Sequence, residues 1–261
     1  MAHDTEASLI RPSRRNVVRT AAWSVPVVAV AATAPAFAAS CTTEYTLKLD
    51  WGSDASQFNK ALDGNSATAS ATGPAGSTPL LVTFGSTYIR PNGQGDRRAS
   101  NNLTVPTDTN IGGAGTGERA LMLRHVNHGE GRDYHQVLTI RFGRAVTGLK
   151  FTMSDIDSLN DVFYDRVELD GTRTAVLTGV IGRGLNETHN GNNGSNASRG
   201  PWRSSDSSNN AAITSGARNA EITYAGTIPA GSPITLTYWS SRAGSEQFMF
   251  LGDFTFKAKN C

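Results

Sequence analysis

The sequence has little net charge and no apolar run long enough to cross a membrane. The chain of 261 residues contains 24 Lys and Arg against 22 Asp and Glu. Segment 1–38 holds four of the bases and two of the acids, so the rest has 20 of each. A neutral domain lacks the basic surface that attracts nucleic acid or anionic lipid, and we expect neither as a partner. The apolar run 20–34 is shorter than the roughly 20 residues that span a bilayer, so no transmembrane anchor is expected.

Common catalytic motifs are missing as well. No Gly-x-Ser-x-Gly elbow occurs, and the glycines at Gly129 and Gly131 exclude a zinc-binding helix around His125 and His128. A glycosidase needs two acids that flank a cleft, and the sequence does not reveal which acids converge. The sequence therefore favours a non-enzymatic protein, with a hydrolase of an extracellular polymer as an alternative.

The first 38 residues have the pattern of a twin-arginine signal peptide. Arg14 and Arg15 precede two apolar residues and a further base, and the apolar run follows. Ala36 and Ala38 supply the small residues that signal peptidase accepts, which predicts cleavage after Ala38. We expect a bacterial protein that is secreted or resides in the cell envelope after export by this pathway.

The two cysteines, Cys41 and Cys261, lie almost at the two ends of the mature chain. An oxidising exterior favours a disulfide between them, which would join the first strand to the last. The alternative is a lipoprotein acylated on Cys41, although Ala38-Ala39-Ser40 lacks the usual leucine and Cys261 would stay unpaired.

Residues 39–261 read as a single all-β domain, a two-sheet antiparallel sandwich with jelly-roll-like topology. Apolar and polar residues alternate from Tyr45 to Trp51 and from Val137 to Phe142, which is the period of half-buried strands. No long helical stripe interrupts the strand pattern. Further strands are predicted at 79–89, 120–126, 146–154, 162–169, 173–181, 219–225, 233–240 and 247–257. The long polar segments between strands, 90–119 and 183–210, are predicted to be surface loops.

Four aromatic residues are candidates for binding a sugar at the surface. Trp202 is the best of them, because it lies between Pro201 and Arg203 in a polar segment. Trp51 and Trp239 lie in or beside strands and are predicted to belong to the core. Tyr238 precedes Trp239 on one strand, so the two face opposite sides and one of them can be exposed.

Segment 145–171, AVTGLKFTMSDIDSLNDVFYDRVELDG, is the most informative part of the chain. Together with 248–256, it resembles an uncharacterised module of bacterial secreted and surface proteins. In that module an apolar strand ends in Asp-Ile-Asp, an Asp-x-Val strand returns, and the domain closes on Asp-Phe-x-Phe. The resemblance implies a β-sandwich at the cell surface and assigns no enzymatic residue.

Three aspartates in this segment are predicted to come together. Asp155 and Asp157 follow Leu149, Phe151 and Met153 on the core-facing side of a strand, and Asp165 lies on the returning strand. Buried carboxylates need protonation, hydrogen-bond donors or a cation, and clusters of oxygen ligands suit Ca²⁺. The simpler alternative is that each aspartate caps a turn.

The sequence thus predicts an exported, non-enzymatic β-sandwich that acts as an extracellular or cell-envelope binding or structural module. Its partner would be a cell-wall or extracellular glycan or a protein. The main alternative is a carbohydrate-binding domain assisted by calcium at Asp155, Asp157 and Asp165, with Trp202 as a ligand contact.

Overall fold

The protein is an all-β sandwich in the computed structural model. The structure describes residues 41, 43–53, 57–62, 64–91, 101–126, 131–159, 162–170, 175–183, 202–204, 212–240 and 246–260. Residues Glu44–Asn260 form one compact unit. The described residues contain fourteen strands, in chain order β1 Glu44–Leu49, β2 Asn59–Lys60, β3 Ser66–Ala71, β4 Leu80–Ile89, β5 Leu121–Val126, β6 His135–Phe142, β7 Val146–Ser154, β8 Ser158–Leu159, β9 Phe163–Asp170, β10 Ala175–Arg183, β11 Asn219–Ile228, β12 Ile234–Ser240, β13 Glu246–Leu251 and β14 Phe254–Lys259.

These strands form two antiparallel sheets. The first sheet has the order β1-β14-β7-β11-β10, and β13 extends it by pairing with both β7 and β5. The second sheet has the order β2-β3-β4-β6-β12-β9-β8. The predicted all-β, two-sheet sandwich is therefore confirmed.

The core lies between the two sheets because each strand buries alternate residues. In β6, Leu138, Ile140 and Phe142 are buried, while the residues between them are more exposed. Aromatic rings join the sheets, with centroids 5.6 Å apart for Trp51 and Phe84 and 5.0 Å apart for Phe142 and Phe256. Burial of these side chains is the main stabilising term, at roughly 25 cal/mol per Å² of apolar surface.

Several elements differ from the sequence prediction, among them the two-residue strands β2 and β8, which were not predicted. Strand β3, Ser66–Ala71, was not predicted, because alanines rather than large β-formers supply its buried face. The predicted strand 247–257 is two strands, β13 and β14, which both pair with β7 and are separated at Gly252 and Asp253. The predicted loop 90–119 is partly buried, since Asn102 and Leu103 are both 0% exposed.

Candidate functional site

The three predicted aspartates lie at the crossover from the first sheet to the second. Asp155 and Asp157 follow β7, and Asp165 lies in β9. Their exposed fractions are 6%, 3% and 1%, so all three are buried. Asp165 accepts hydrogen bonds from the Tyr238 hydroxyl at 2.9 Å and from the Asp157 backbone N–H at 3.3 Å. The structure thus brings the three residues into one buried acidic cluster.

Burial dominates the electrostatics of this acidic cluster. Desolvation, and then the charge of Asp157, raises the pKa of Asp155 from 3.8 to about 8. Desolvation and the same neighbour raise the pKa of Asp165 well above its usual range, although the hydrogen bond from Tyr238 opposes the change. At neutral pH Asp155 is therefore mostly protonated, which is one of the three ways to accommodate buried carboxyl groups.

The acidic cluster does not have the spacing of a single cation site. Carboxylate oxygens that share one Ca²⁺ lie within about 5 Å of one another, because each stands about 2.4 Å from the ion. Among the described residues, the three acids whose carboxylate oxygens all lie within 4.8 Å of one another are Asp50, Glu118 and Asp253. A calcium role for Asp155, Asp157 and Asp165 stays a prediction that this geometry does not support.

The aromatic candidates are in the core. Trp202 is 0% exposed, and its backbone bonds to Val167 of β9 in both directions, at 2.8 and 3.1 Å. The expectation of an exposed Trp202 that contacts a ligand is therefore corrected: the large aromatic side chain of Trp202 enters the core although its sequence neighbours are polar. Trp51 and Trp239 are buried as predicted, and Tyr238 is buried too, so neither member of that adjacent pair is exposed.

A cleft on the outer face of the first sheet, called here the outer cleft, was not foreseen from the sequence. Its volume is about 460 Å³, in the range of small-molecule sites. Thr152 and Ser154 of β7 and Asn219 and Glu221 of β11 form its floor, because they occupy the faces of these strands that point away from the core. Remaining lining residues are Lys48, Ile111, Gly112, Gly113, Ala114, Glu118, Arg119, Gly216, Gly252 and Asp253.

Segment 110–119 forms one wall of the outer cleft and is anchored by a small apolar cluster. Ile111 packs with Met122 and Phe250 in a cluster separate from the main core. Gly112 donates its N–H to the Ile213 carbonyl at 2.7 Å, and its own carbonyl accepts from Asn219 Nδ2 at 2.7 Å. Gly112 has φ +66°, and a Cβ there would stand 2.8 Å from the Cβ of Ser154, so only glycine fits.

A network of charges lines one end of the outer cleft. Lys48 Nζ lies 2.7 Å from Asp253, 3.1 Å from Asp50 and 4.0 Å from Glu118. Burial opposes the charge of Lys48, but hydrogen bonds to Asp253 and Asp50 outweigh it and raise the pKa of the lysine. The hydrogen bond with Asp253, followed by burial, raises the pKa of Glu118. Asp253 is held in place by the Trp51 backbone N–H, which donates to it at 2.9 Å.

One signal in the sequence could have located this network. Strands β1 and β14 pair antiparallel, with Glu44 opposite Lys259 and Leu49 opposite Phe254. A disulfide near the two ends of the mature chain would hold the first and last strands close together. Their antiparallel pairing brings Asp50, just after β1, to the same end as Asp253, just before β14. No comparable signal in the sequence marks Glu118, which lies in the long connection between β4 and β5.

Several predicted features fall on residues outside the described part of the chain. These are the signal segment 1–38 with Arg14, Arg15 and Ala38, and also Cys261. Cys41 is not a free cysteine, but its pairing with Cys261 stays a prediction. Within the described residues, the structure contains no helix with the length and hydrophobicity that a membrane span requires. A scan of the chain against protein-family models and a search of curated proteins find no match.

Proposed function

We propose that this protein is an exported, non-enzymatic binding module that holds a saccharide in the outer cleft, outside the cytoplasmic membrane. The observation that carries this proposal is the outer cleft itself, with a volume of about 460 Å³. Sites of this size that have a few convergent polar groups are the usual places for small ligands. The sandwich provides a rigid floor, and segment 110–119 provides the wall.

The lining of the outer cleft suits a ligand with many hydroxyl groups. Thr152 and Ser154 offer hydroxyls, Asn219 offers an amide, and Lys48 and Glu118 add a cation and an acid. A sugar hydroxyl both donates and accepts, so it can hydrogen-bond to both kinds of group, whereas an apolar ligand can bond to none of them. The export half of the proposal is supported by the pattern of segment 1–38, which contains the arginine pair and the cleavage box.

A glycan array tests the proposal when it is combined with a variant that fills the outer cleft. Thr152→Tyr places a large side chain on the cleft floor. Thr152 is half-buried in a strand, and tyrosine is a residue that strands favour, so the variant should fold. Thr235→Tyr is the matched control, because Thr235 is half-buried in β12 of the second sheet. We expect the wild type and Thr235→Tyr to bind the same glycans and Thr152→Tyr to lose them. Unchanged binding by a folded Thr152→Tyr variant would contradict the proposal.

A hydrolase of an extracellular polymer is the second candidate, because two acids converge in the outer cleft. The hydrogen bond with Asp253, followed by burial, raises the pKa of Glu118, which is the direction that a general acid needs. However, Glu118 and Asp253 are hydrogen-bonded to each other, which is closer than the roughly 5 Å of retaining or 6.5–9.5 Å of inverting glycosidases. Release of reducing ends from a polysaccharide by the wild type, lost in Glu118→Gln, would replace the binding proposal with the hydrolase.

A further inference from the structure

Two arginines, called here the arginine pair, stand opposite each other on the outer face of the second sheet. The backbones of Val167 and Trp202 bond to each other in both directions, so their neighbours Arg166 and Arg203 are directly opposed across the two segments. Val167 and Trp202 are 0% exposed and face the core, so the arginine pair points to the other side. Like charges that face each other across a sheet repel and destabilise it.

The acids near the arginine pair do not neutralise it. Glu168, on the same face of β9, is paired with Arg132 at 2.8 Å. Asp165 precedes Arg166 but is buried on the core side, where desolvation raises its own pKa well above the usual range. Burial, and then the charge of Arg203, lowers the pKa of Arg166 to about 10. Arg166 is therefore still positive at neutral pH, and it forms no ion pair with a carboxylate among the described residues.

Arg166 is held in place and still has donors that a ligand can reach. It is half-buried, and its guanidinium lies 5.9 Å from the centre of the Tyr164 ring. Within the described residues its one hydrogen bond runs from Nη1 to the Asp165 carbonyl at 2.6 Å. Its Nε and Nη2 are not among the donors that are sealed from solvent. Two neighbouring N–H groups of a planar guanidinium match two oxygens of a carboxylate or a phosphate.

We propose that the arginine pair binds an oxyanion, namely a carboxylate or phosphate group carried by an acidic polymer. Arg166 would donate from Nε and Nη2 to two oxygens of that group, and Arg203 would add a second positive charge. A bound anion would also relieve the repulsion between the two guanidinium groups, which a neutral ligand cannot do. The arginine pair lies on the second sheet and the outer cleft on the first, so this inference does not depend on the proposed function.

Two oligomers that differ only in charge test the requirement for an anion. Isothermal titration at low ionic strength, where screening is weak, compares a galacturonate oligomer with its methyl ester of equal length. A glycerol phosphate oligomer is the second arm, and the tighter binder of the two anionic oligomers identifies the preferred group. We expect that binder to exceed the methyl ester by at least about tenfold, the gain from one charge-assisted hydrogen bond. Failure of both anionic oligomers to exceed the methyl ester would overturn the inference.

Variants of Arg166 locate the site. Arg166→Gln should weaken binding of the preferred anionic oligomer by about tenfold. Arg166→Lys keeps the charge and loses the planar fork, so it should lose part of the affinity, and it serves as the test if Arg166→Gln does not fold. Arg141→Gln is the matched control, since Arg141 is an exposed arginine of β6 in the same sheet. Equal losses in Arg166→Gln and Arg141→Gln would show a general effect of net charge and would contradict the inference.

The outer-cleft variant separates this inference from the proposed function. Binding of the anionic oligomer that persists in Thr152→Tyr and is lost in Arg166→Gln would support the arginine pair as its site. Binding that Thr152→Tyr abolishes and Arg166→Gln leaves unchanged would place the oligomer in the outer cleft and overturn the inference.

Discussion

Replacing Asp155 by asparagine should stabilise the protein at neutral pH. Asp155 is 6% exposed, and burial together with the charge of Asp157 raises its pKa from 3.8 to about 8. Asparagine keeps the shape of the side chain and cannot ionise. It also tolerates the left-handed backbone at this position, where φ is 64°.

The magnitude follows from the linkage between protonation and folding. The raised pKa means that the folded state holds a proton that the unfolded state releases above pH 3.8. The contribution of this proton to the free energy of unfolding is fully present below about pH 4. It decreases by about 1.4 kcal/mol per pH unit as the pH rises to about 8. Asp155 therefore costs about 4 kcal/mol at pH 7 relative to acid pH. Asp165, whose pKa is also raised by burial, adds to the loss in the same direction.

Urea unfolding of the wild type and Asp155→Asn, measured from pH 4 to pH 8, checks this reasoning. The wild type should lose stability as the pH rises, and the variant should lose less. Near pH 7 the variant should melt on the order of 10 °C higher. Asp108→Asn, which changes an exposed aspartate, should follow the wild type. A variant that is less stable than the wild type at pH 7 would refute the protonation of buried Asp155 and indicate that its carboxylate caps a turn. A calcium-dependent increase in melting temperature that Asp155→Asn abolishes would refute it too and indicate that the carboxylate binds a cation.

Three further predictions concern export, the disulfide and the core. Changing both Arg14 and Arg15 to lysine should keep the protein inside the cell, because the twin-arginine receptor recognises that pair. Cell fractionation measures this, and normal secretion of the variant would contradict export by this pathway. Mass spectrometry of the secreted protein should find a Cys41–Cys261 bond, and free thiols or a lipid on Cys41 would contradict it. Trp202→Ala should lower the free energy of unfolding, measured in urea, by roughly 3–5 kcal/mol and leave the glycan affinity of the folded protein unchanged. A variant that keeps its stability and loses glycan affinity would indicate that Trp202 is a ligand contact at the surface.

The strands were predictable because the alternation of side chains records burial directly. Val137 to Phe142 alternates in the sequence and in the structure, since one face of each strand meets the other sheet. Strand β3 escaped prediction because its buried residues are alanines, whose small size gives a weak apolar signal. The burial of Trp202 could not be predicted from its neighbours, because they are polar and indicate a surface loop, whereas the large aromatic side chain packs in the core.

The candidate site was predictable only in part. The acidic cluster was foreseen, because Asp155 and Asp157 directly follow β7 and Asp165 lies in β9, only eight residues further along the chain. The outer cleft depends instead on contacts between distant segments, such as Gly112 against Ser154 and Lys48 against Asp253. A chain read residue by residue does not show such contacts, because they follow from the order of the strands in the sheets.

Hydrogen exchange with and without a bound glycan shows whether the outer cleft is the binding site. We expect a saccharide selected on the array to slow amide exchange in segment 110–119 and near Ser154 and Asn219, which line the outer cleft. The outer face of the second sheet has its own shallow depression around Gly85 and Thr139, and exchange there should stay unchanged. Protection at that depression, with none in segment 110–119, would place the binding site on the second sheet and overturn the assignment to the outer cleft.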